Sequence, residues 1–340
     1  MGRRSTGKLL MGSLRRVGIW LASTALLLGS TAALQAAPAQ LTLGVADSGA
    51  YAAPVLIADA QGYFAAEGLA LKVVRCAFGR ICLQKLLDGE LHFATVADTP
   101  IVFASFTRHD FAVVATITTS GRETQMVVRG DRGIRGPADL KGKRIGMLKG
   151  TSGHYFTESF LLFHGVNMAD VTLVPLDARD VVGPLVRGEI DAAGLFQPHV
   201  LNALRQLGAN GATLPGGSFF SLGFNIVSVG EAAGASDEDV QKLLRAVRRA
   251  DALIRSEPEQ ARKIVAAALK LDVRELAASW GDFDYRTQLG QGLVNSLESQ
   301  ARWAMRAGLV PAGSRLPDYL DYVRTEPLRR VDPHAVRLVH

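Results

Sequence analysis

Short apolar runs alternate with helix-length segments along most of this chain, and that alternation limits its fold more than any other feature. "LTLGVA" (Leu41–Ala46) reads as a strand, followed by a helix from about Ala53 with Gly62 and Gly68 as stops. Strand "LALKVVRC", helix "ICLQKLLDGE", strand "LHFATVA", helix "TPIVFASFTRH" and strands "FAVVATITTS" and "TQMVVRG" come next. A polar, Gly-rich stretch, "RGDRGIRGPADLKGK", interrupts, and then the scheme restarts. It runs strand "RIGML" (Arg144–Leu148), helix Gly153–His164, strand "VTLVPL", helix "ARDVVGPLVRG", strand "DAAGLF". Strands separated by helices of about ten residues predict α/β architecture, with mostly parallel sheets flanked by helices. Leu86–Ala94 and Leu185–Ala193 share the frame L-x-x-G-E-[LI]-x-x-A, which points to two lobes of similar build. The last third is helical: Ser236 is the expected N-cap of one helix, Ser256 and Glu259 the expected capping box of the next, and Gly308 the stop of a third. The final stretch, rich in Arg and Pro, reads as a surface tail.

The net charge of +6 would suggest a nucleic-acid partner, but its location argues otherwise. Arg3, Arg4, Lys8, Arg15 and Arg16 fall within residues 1–36 with no acidic residue among them, so the remainder is almost balanced. The apolar run Val17–Gly29 and the small residues "STAALQAAPAQ" complete a secretory signal peptide, cleaved after Ala36 or Ala39. That run is shorter than the ~20 residues a membrane-spanning helix needs. Export implies an oxidising compartment and a periplasmic location, and disfavours nucleic-acid binding. Cys76 and Cys82 are then either a disulfide shaping the "AFGRI" loop or two separate core residues. No His pair with ligand spacing lies near them, so no metal site is expected.

In open parallel sheets, ligands sit beyond the carboxyl ends of the strands. The residues following each expected strand are Ser48, Gly49 and Tyr51; Phe78, Gly79 and Arg80; Val96, Ala97, Asp98 and Thr99; Arg122; Thr151, Ser152, Gly153 and His154; and Phe196 and Gln197. Many are Gly or hydroxyl residues, which let backbone approach a ligand and donate hydrogen bonds without charge. Arg80 and Arg122 could each hold a sulfonate or carboxylate in a fork of two bonds. Tyr51, Phe78 and Phe196 could form an apolar wall. H-E-x-x-H, G-x-S-x-G, the phosphate loop G-x-x-x-x-G-K-[ST] and an early G-x-G-x-x-G are all absent, and no catalytic residue is expected.

The order "GYFAAEGL", "LLDGELHFATVADTP", "ADLKGKRIGMLKGTSGHYF", "LVRGEIDAAGLFQPHV" resembles the periplasmic substrate-binding proteins of ABC importers, in the nitrate, sulfonate, taurine and thiamine-precursor group. The resemblance implies a two-lobe periplasmic binding protein type II fold with the ligand cleft between lobes. It places lobe 1 at 40–122 plus 228–325, lobe 2 at 123–227 and a C-terminal tail at 326–340. Crossing segments are expected near Gly121–Thr124 and Gly223–Val227. It also implies ligand contacts from Thr95–Thr99 and Thr151–Tyr155. Where many relatives carry an acidic residue, this chain has Gln197, which weakens a taurine-like reading. The implied function is capture of a small anionic solute by a monomer, without cofactor, for delivery to an ABC permease in the inner membrane. The alternatives are a pyridoxal-phosphate enzyme of the pyrimidine-precursor synthase kind, which would need Lys149 as its Schiff-base lysine, or a ligand-sensing subunit.

Overall fold

The computed structural model describes residues 40–46, 49–216, 219–230 and 235–339. The expected signal peptide lies outside these residues, as does Ser48. The chain begins with strand β1 (Leu41–Ala46), helices α1 (Ala53–Ala60) and α2 (Tyr63–Ala66), β2 (Leu71–Cys76), α3 (Gly79–Leu87), β3 (Phe93–Ala97), α4 (Asp98–Ser105) and β4 (Phe111–Ser120). Gly121–Glu123 leads into β5 (Thr124–Arg129), β6 (Arg144–Met147), α5 (Ser152–Phe163), β7 (Thr172–Pro175), α6 (Gly183–Val186), β8 (Ala192–Phe196), α7 (His199–Leu207) and β9 (Gly211–Thr213). The remainder is β10 (Leu222–Val229), α8 (Asp237–Ser256), α9 (Pro258–Leu269), α10 (Val273–Trp280), β11 (Asp284–Gly290), α11 (Gln291–Arg306), α12 (Glu326–Val331) and β12 (Val336–Arg337).

Two sheets result. The larger has the order β12-β11-β4-β10-β3-β1-β2 and the smaller β7-β6-β8-β5-β9. In each, a parallel βαβ unit forms one half: β1 with β2 and β3, and β6 with β7 and β8. The other half is antiparallel apart from the parallel edge pair β11–β12, because β10 runs against β3 and β4, β11 against β4, and β5 against β8 and β9. The sheets are therefore mixed. Equal helix spacing identifies βαβ units, but the direction of a strand that comes back from the other sheet is not encoded in its own residues. β5 shows the period of two: Met126 and Val128 join the cluster holding Phe156 and Phe160, whereas Val127 faces Leu185, Ile190 and Val200 on the opposite side. β10 is buried along its whole length and pairs with β4 from Leu222↔Ser120 onward. Gly223–Val227, expected as a crossing segment, is thus strand of the larger sheet, and the return passage ends before Leu222.

Three local expectations change. The helix expected over Ala178–Gly188 is reduced to α6, because Pro184 at its start disfavours helical geometry upstream and Asp180 accepts from the Gly183 N–H at 2.9 Å. Ser236 caps α8, as expected, through a reciprocal box with Asp239. Ser256, however, is the last residue of α8, and α9 starts at Pro258 without a side-chain cap. The C-terminal segment is no loose tail. Tyr319, Tyr322 and Leu328 are buried, the Tyr322 hydroxyl donates to the Ser105 carbonyl at 2.9 Å, and β12 pairs with β11.

Candidate functional site

The carboxyl ends of β2, β3, β6, β7 and β8 open onto one cavity of about 130 Å³. From the larger sheet come Tyr51, Phe78, Gly79, Arg80, Ala97, Pro100, Leu222 and Phe224. The smaller contributes Leu148, Lys149, Thr151, Ser152, Ala178 and Phe196, and Glu123 comes from the passage between them.

Two helices start at this cavity. α3 begins after Phe78 and α5 after Thr151; neither residue caps its helix with a side chain, and neither first turn holds an acid. The Thr151 hydroxyl instead donates to the Leu148 carbonyl at 2.6 Å. First-turn N–H groups without such a cap are open to an anionic ligand, and the helix dipole favours one. Both helix starts are fixed by glycine. A Cβ on Gly79 would lie 3.1 Å from the Val96 Cα, so α3 rests directly on β3. A Cβ on Gly153 would lie 2.8 Å from the Gly194 carbonyl, and one on Gly194 only 1.9 Å from Thr157 Oγ1. Cys76 and Cys82 are disulfide-bonded with Cα atoms 5.7 Å apart, closing the loop that presents Phe78, Gly79 and Arg80. Arg80 and Lys149 are both exposed at the cavity, and among the described residues neither has an ion-pair partner.

The structure thus brings Tyr51, Phe78, Gly79, Arg80, Ala97, Thr151, Ser152 and Phe196 together. The other expected residues lie elsewhere. Gly49 packs under the Tyr51 ring, and Val96 is strand core. Thr99 is buried and donates to Gln300 Oε1 at 2.6 Å. Arg122 sits at the surface, paired with Asp282 at 3.2 Å. Gly153 is a spacer against β8, and Gln197 is buried, with its Oε1 accepting from the Leu201 N–H. His154 is buried beside the cavity loop. Its Nδ1 accepts from the Gly150 N–H, which leaves Nε2–H to donate to Glu158 Oε1 at 3.0 Å. Glu158 also accepts from Trp303 Nε1 of α11 at 2.7 Å, tying α5 to the larger sheet's side. Burial pushes the Glu158 carboxyl up, but the bonds from His154 and Trp303 outweigh it and hold the group below its ordinary range.

Asp98 is buried and lines not this cavity but a second one, of about 530 Å³, together with Gly223 and Ser296. It accepts from Asn225 Nδ2 at 2.8 Å, Ser296 Oγ at 2.8 Å and the Gly223 N–H at 3.0 Å. Glu123 and Phe224 line the cavity without having been expected there, and Lys149, expected only as the Schiff-base lysine of the enzyme alternative, lines it too. Lys149 adjoins the Thr151 loop and was within reach of sequence reading. Nothing in "GRETQ" distinguishes Glu123 from an exposed loop acid.

Burial pushes Asp98 up to about 6, Glu123 to about 7 and Asp251 to about 6, against partial compensation from hydrogen bonds. A carboxyl whose pKa is raised in the folded state contributes stability that is full below its unfolded value and lost as pH rises through the folded one. The urea midpoint is therefore expected to be higher near pH 5 than near pH 8, each group contributing on the order of 2 kcal/mol. A flat or reversed profile would mean that these carboxyls are solvated.

Two mixed sheets with helices on both faces, and a cavity at the carboxyl ends of their parallel strands, define a two-lobe α/β binding-protein architecture. Solved structures share it. The aliphatic sulphonate-binding protein SsuA from Escherichia coli matches with a TM-score of 0.73 at 20% identity, over 89% of this chain and 95% of that one. The alkanesulfonate-binding SsuA of Xanthomonas axonopodis pv. citri, bound to MOPS, gives 0.71 at 22% identity, over 85% and 99%. The desulfurization enzyme DSZB shares the fold too, at 0.62 and 16% identity over 86% of this chain and 99% of that one, so the fold alone does not separate binding from catalysis. The chain belongs to the NMT1/THI5-like family, whose pattern matches residues 50–261. A protein of Brucella abortus described as a binding protein is 26% identical over 65% of this chain and 68% of its own length. The taurine-binding periplasmic protein of Escherichia coli is 27% identical over 46% of this chain and 48% of that protein.

Proposed function

We propose that this chain is the periplasmic solute-binding component of an ABC importer, exported by its N-terminal leader and acting without catalysis. It captures a small anionic, sulfonate-like organic solute and presents it to a membrane permease. The observation that carries this reading is the convergence, on one cavity between two sheets, of two helix N-termini without side-chain caps, of Arg80 and Lys149, which have no ion-pair partner among the described residues, and of an apolar wall of Tyr51, Phe78, Phe196 and Phe224. The anionic head takes the N–H groups and the cations, and the alkyl body takes the aromatic wall. The lobes divide at Glu123 and again before Leu222. A solute touching both stabilises the closed state through contacts that the open state lacks. The taurine-binding role of the Escherichia coli relative agrees with this reading, and the SsuA structures share the architecture it requires.

Intrinsic fluorescence and calorimetric titration with short alkanesulfonates and nitrate test it, since Trp303 lies at the contact between the two sides. Micromolar or tighter binding of at least one sulfonate is expected. Arg80→Ala should weaken it about tenfold, the equivalent of one charge-assisted bond, with no change in stability because the side chain is exposed. If no small anion binds, the reading is wrong.

A further inference from the structure

One charged group on the cavity wall is at odds with a site built for an anion alone. Glu123 is 2% exposed, yet it lines the same cavity as Arg80 and Lys149. The Thr124 hydroxyl donates to its Oε2 at 2.5 Å, and the Gln197 N–H meets its backbone carbonyl at 3.0 Å. Among the described residues no Arg, Lys or His forms an ion pair with it. A buried carboxyl without a counter-charge costs stability, and an apolar or amide side chain would avoid that cost. The wall beside it is aromatic: Tyr51 and Phe224 stand with ring centroids 4.3 Å apart, and Phe196 completes the lining. Such faces attract a cation but offer nothing to an anion. The charges are also sorted by depth. Arg80 and Lys149 are exposed, whereas the lone acid is buried.

We propose that Glu123 is a specificity-determining residue, and that it selects a small zwitterionic solute with a cationic nitrogen at the buried wall and an anionic group toward the helix N-termini. This rests on the anion-binding reading above and adds the second charge. It also supplies a carboxyl partner for a ligand amine, which Gln197, an amide, does not. Burial holds the Glu123 carboxyl up, to about 7. An ammonium group placed against it favours the ionised form, so the pair forms best above that pH. The other ionisable side chains on this wall are Tyr51, Arg80 and Lys149, and the groups directly bonded to Glu123 come from Thr124 and Gln197.

Two probes of nearly equal size isolate the nitrogen: 2-aminoethanesulfonate and propane-1-sulfonate differ by an ammonium in place of a methyl. Calorimetry on the full mature protein at about pH 8.5 is expected to show the amine probe binding ~30-fold tighter. E123Q should abolish that preference while propane-1-sulfonate binding is kept or improved. In the wild type the preference should shrink several-fold between about pH 8.5 and pH 5.5 as the carboxyl takes up its proton. This arm needs no variant, so it stands even if E123Q folds poorly. Tighter binding of propane-1-sulfonate to the wild type, or an unchanged ratio in well-folded E123Q, overturns the proposal and leaves the anion site intact. Failure of both probes to bind would overturn the anion reading itself, and this inference with it.

Discussion

Replacing Gly194 by Ala should cost about 3 kcal/mol of stability and displace the start of α5, taking ligand binding with it. The added Cβ would lie 1.9 Å from Thr157 Oγ1 and 3.0 Å from the Gly153 carbonyl. Thr157 cannot turn away freely. It is buried in the helix, and its hydroxyl donates to that same Gly153 carbonyl at 2.6 Å. The cheapest relief is for α5 to lift off β8, which moves Thr151 and Ser152 away from the cavity. The double variant Gly194→Ala with Thr157→Ala removes the closest clash, so it should recover more than half of the loss. Denaturant midpoints for the single and double variants measure that coupling. Additive losses, or a Gly194→Ala protein with unchanged stability, would mean that the helix start is not held by this contact.

The second large effect is expected at Asp98. Its carboxylate gathers three donors from two separate segments: Asn225 and the Gly223 N–H on β10, and Ser296 on α11. The network continues through Gln300 to Thr99, and through Asn225 to Thr116. Asp98→Ala leaves these buried donors without an acceptor, at a cost of about 3–5 kcal/mol. Urea unfolding at constant slope is the measurement. A loss under about 1 kcal/mol would show that water replaces the carboxylate and that the network is not a structural unit. Asp98 thus ties α4 to β10 and α11 and does not line the cavity between the two sheets, even though it directly follows a strand that does.

The two acids Asp98 and Glu123 show what each level of information supplied. Asp98 follows "LHFATVA", and position after a strand is a local property legible in the sequence. The rule that places ligands at strand ends could not tell that its side chain turns back to meet Asn225 and Ser296, which lie far along the chain. Glu123 falls in the expected crossing segment Gly121–Thr124, but its burial and its lack of an ion-pair partner among the described residues appear only when that passage is enclosed by residues of both sheets. Gly153 and Gly194 were similarly opaque. Each reads as a loop or strand glycine, and their close approach exists only between packed elements.

The sequence by itself determined the α/β alternation, its restart after the Gly-rich stretch, and most of the turns that line the cavity. All of these follow from periodicity and turn chemistry within a few residues. Only the tertiary structure decided the antiparallel course of β5 and β10, the docking of the C-terminal segment, and which charges face the cavity. Strand direction and the burial of a charge depend on partners remote in sequence, and no local pattern carries that information.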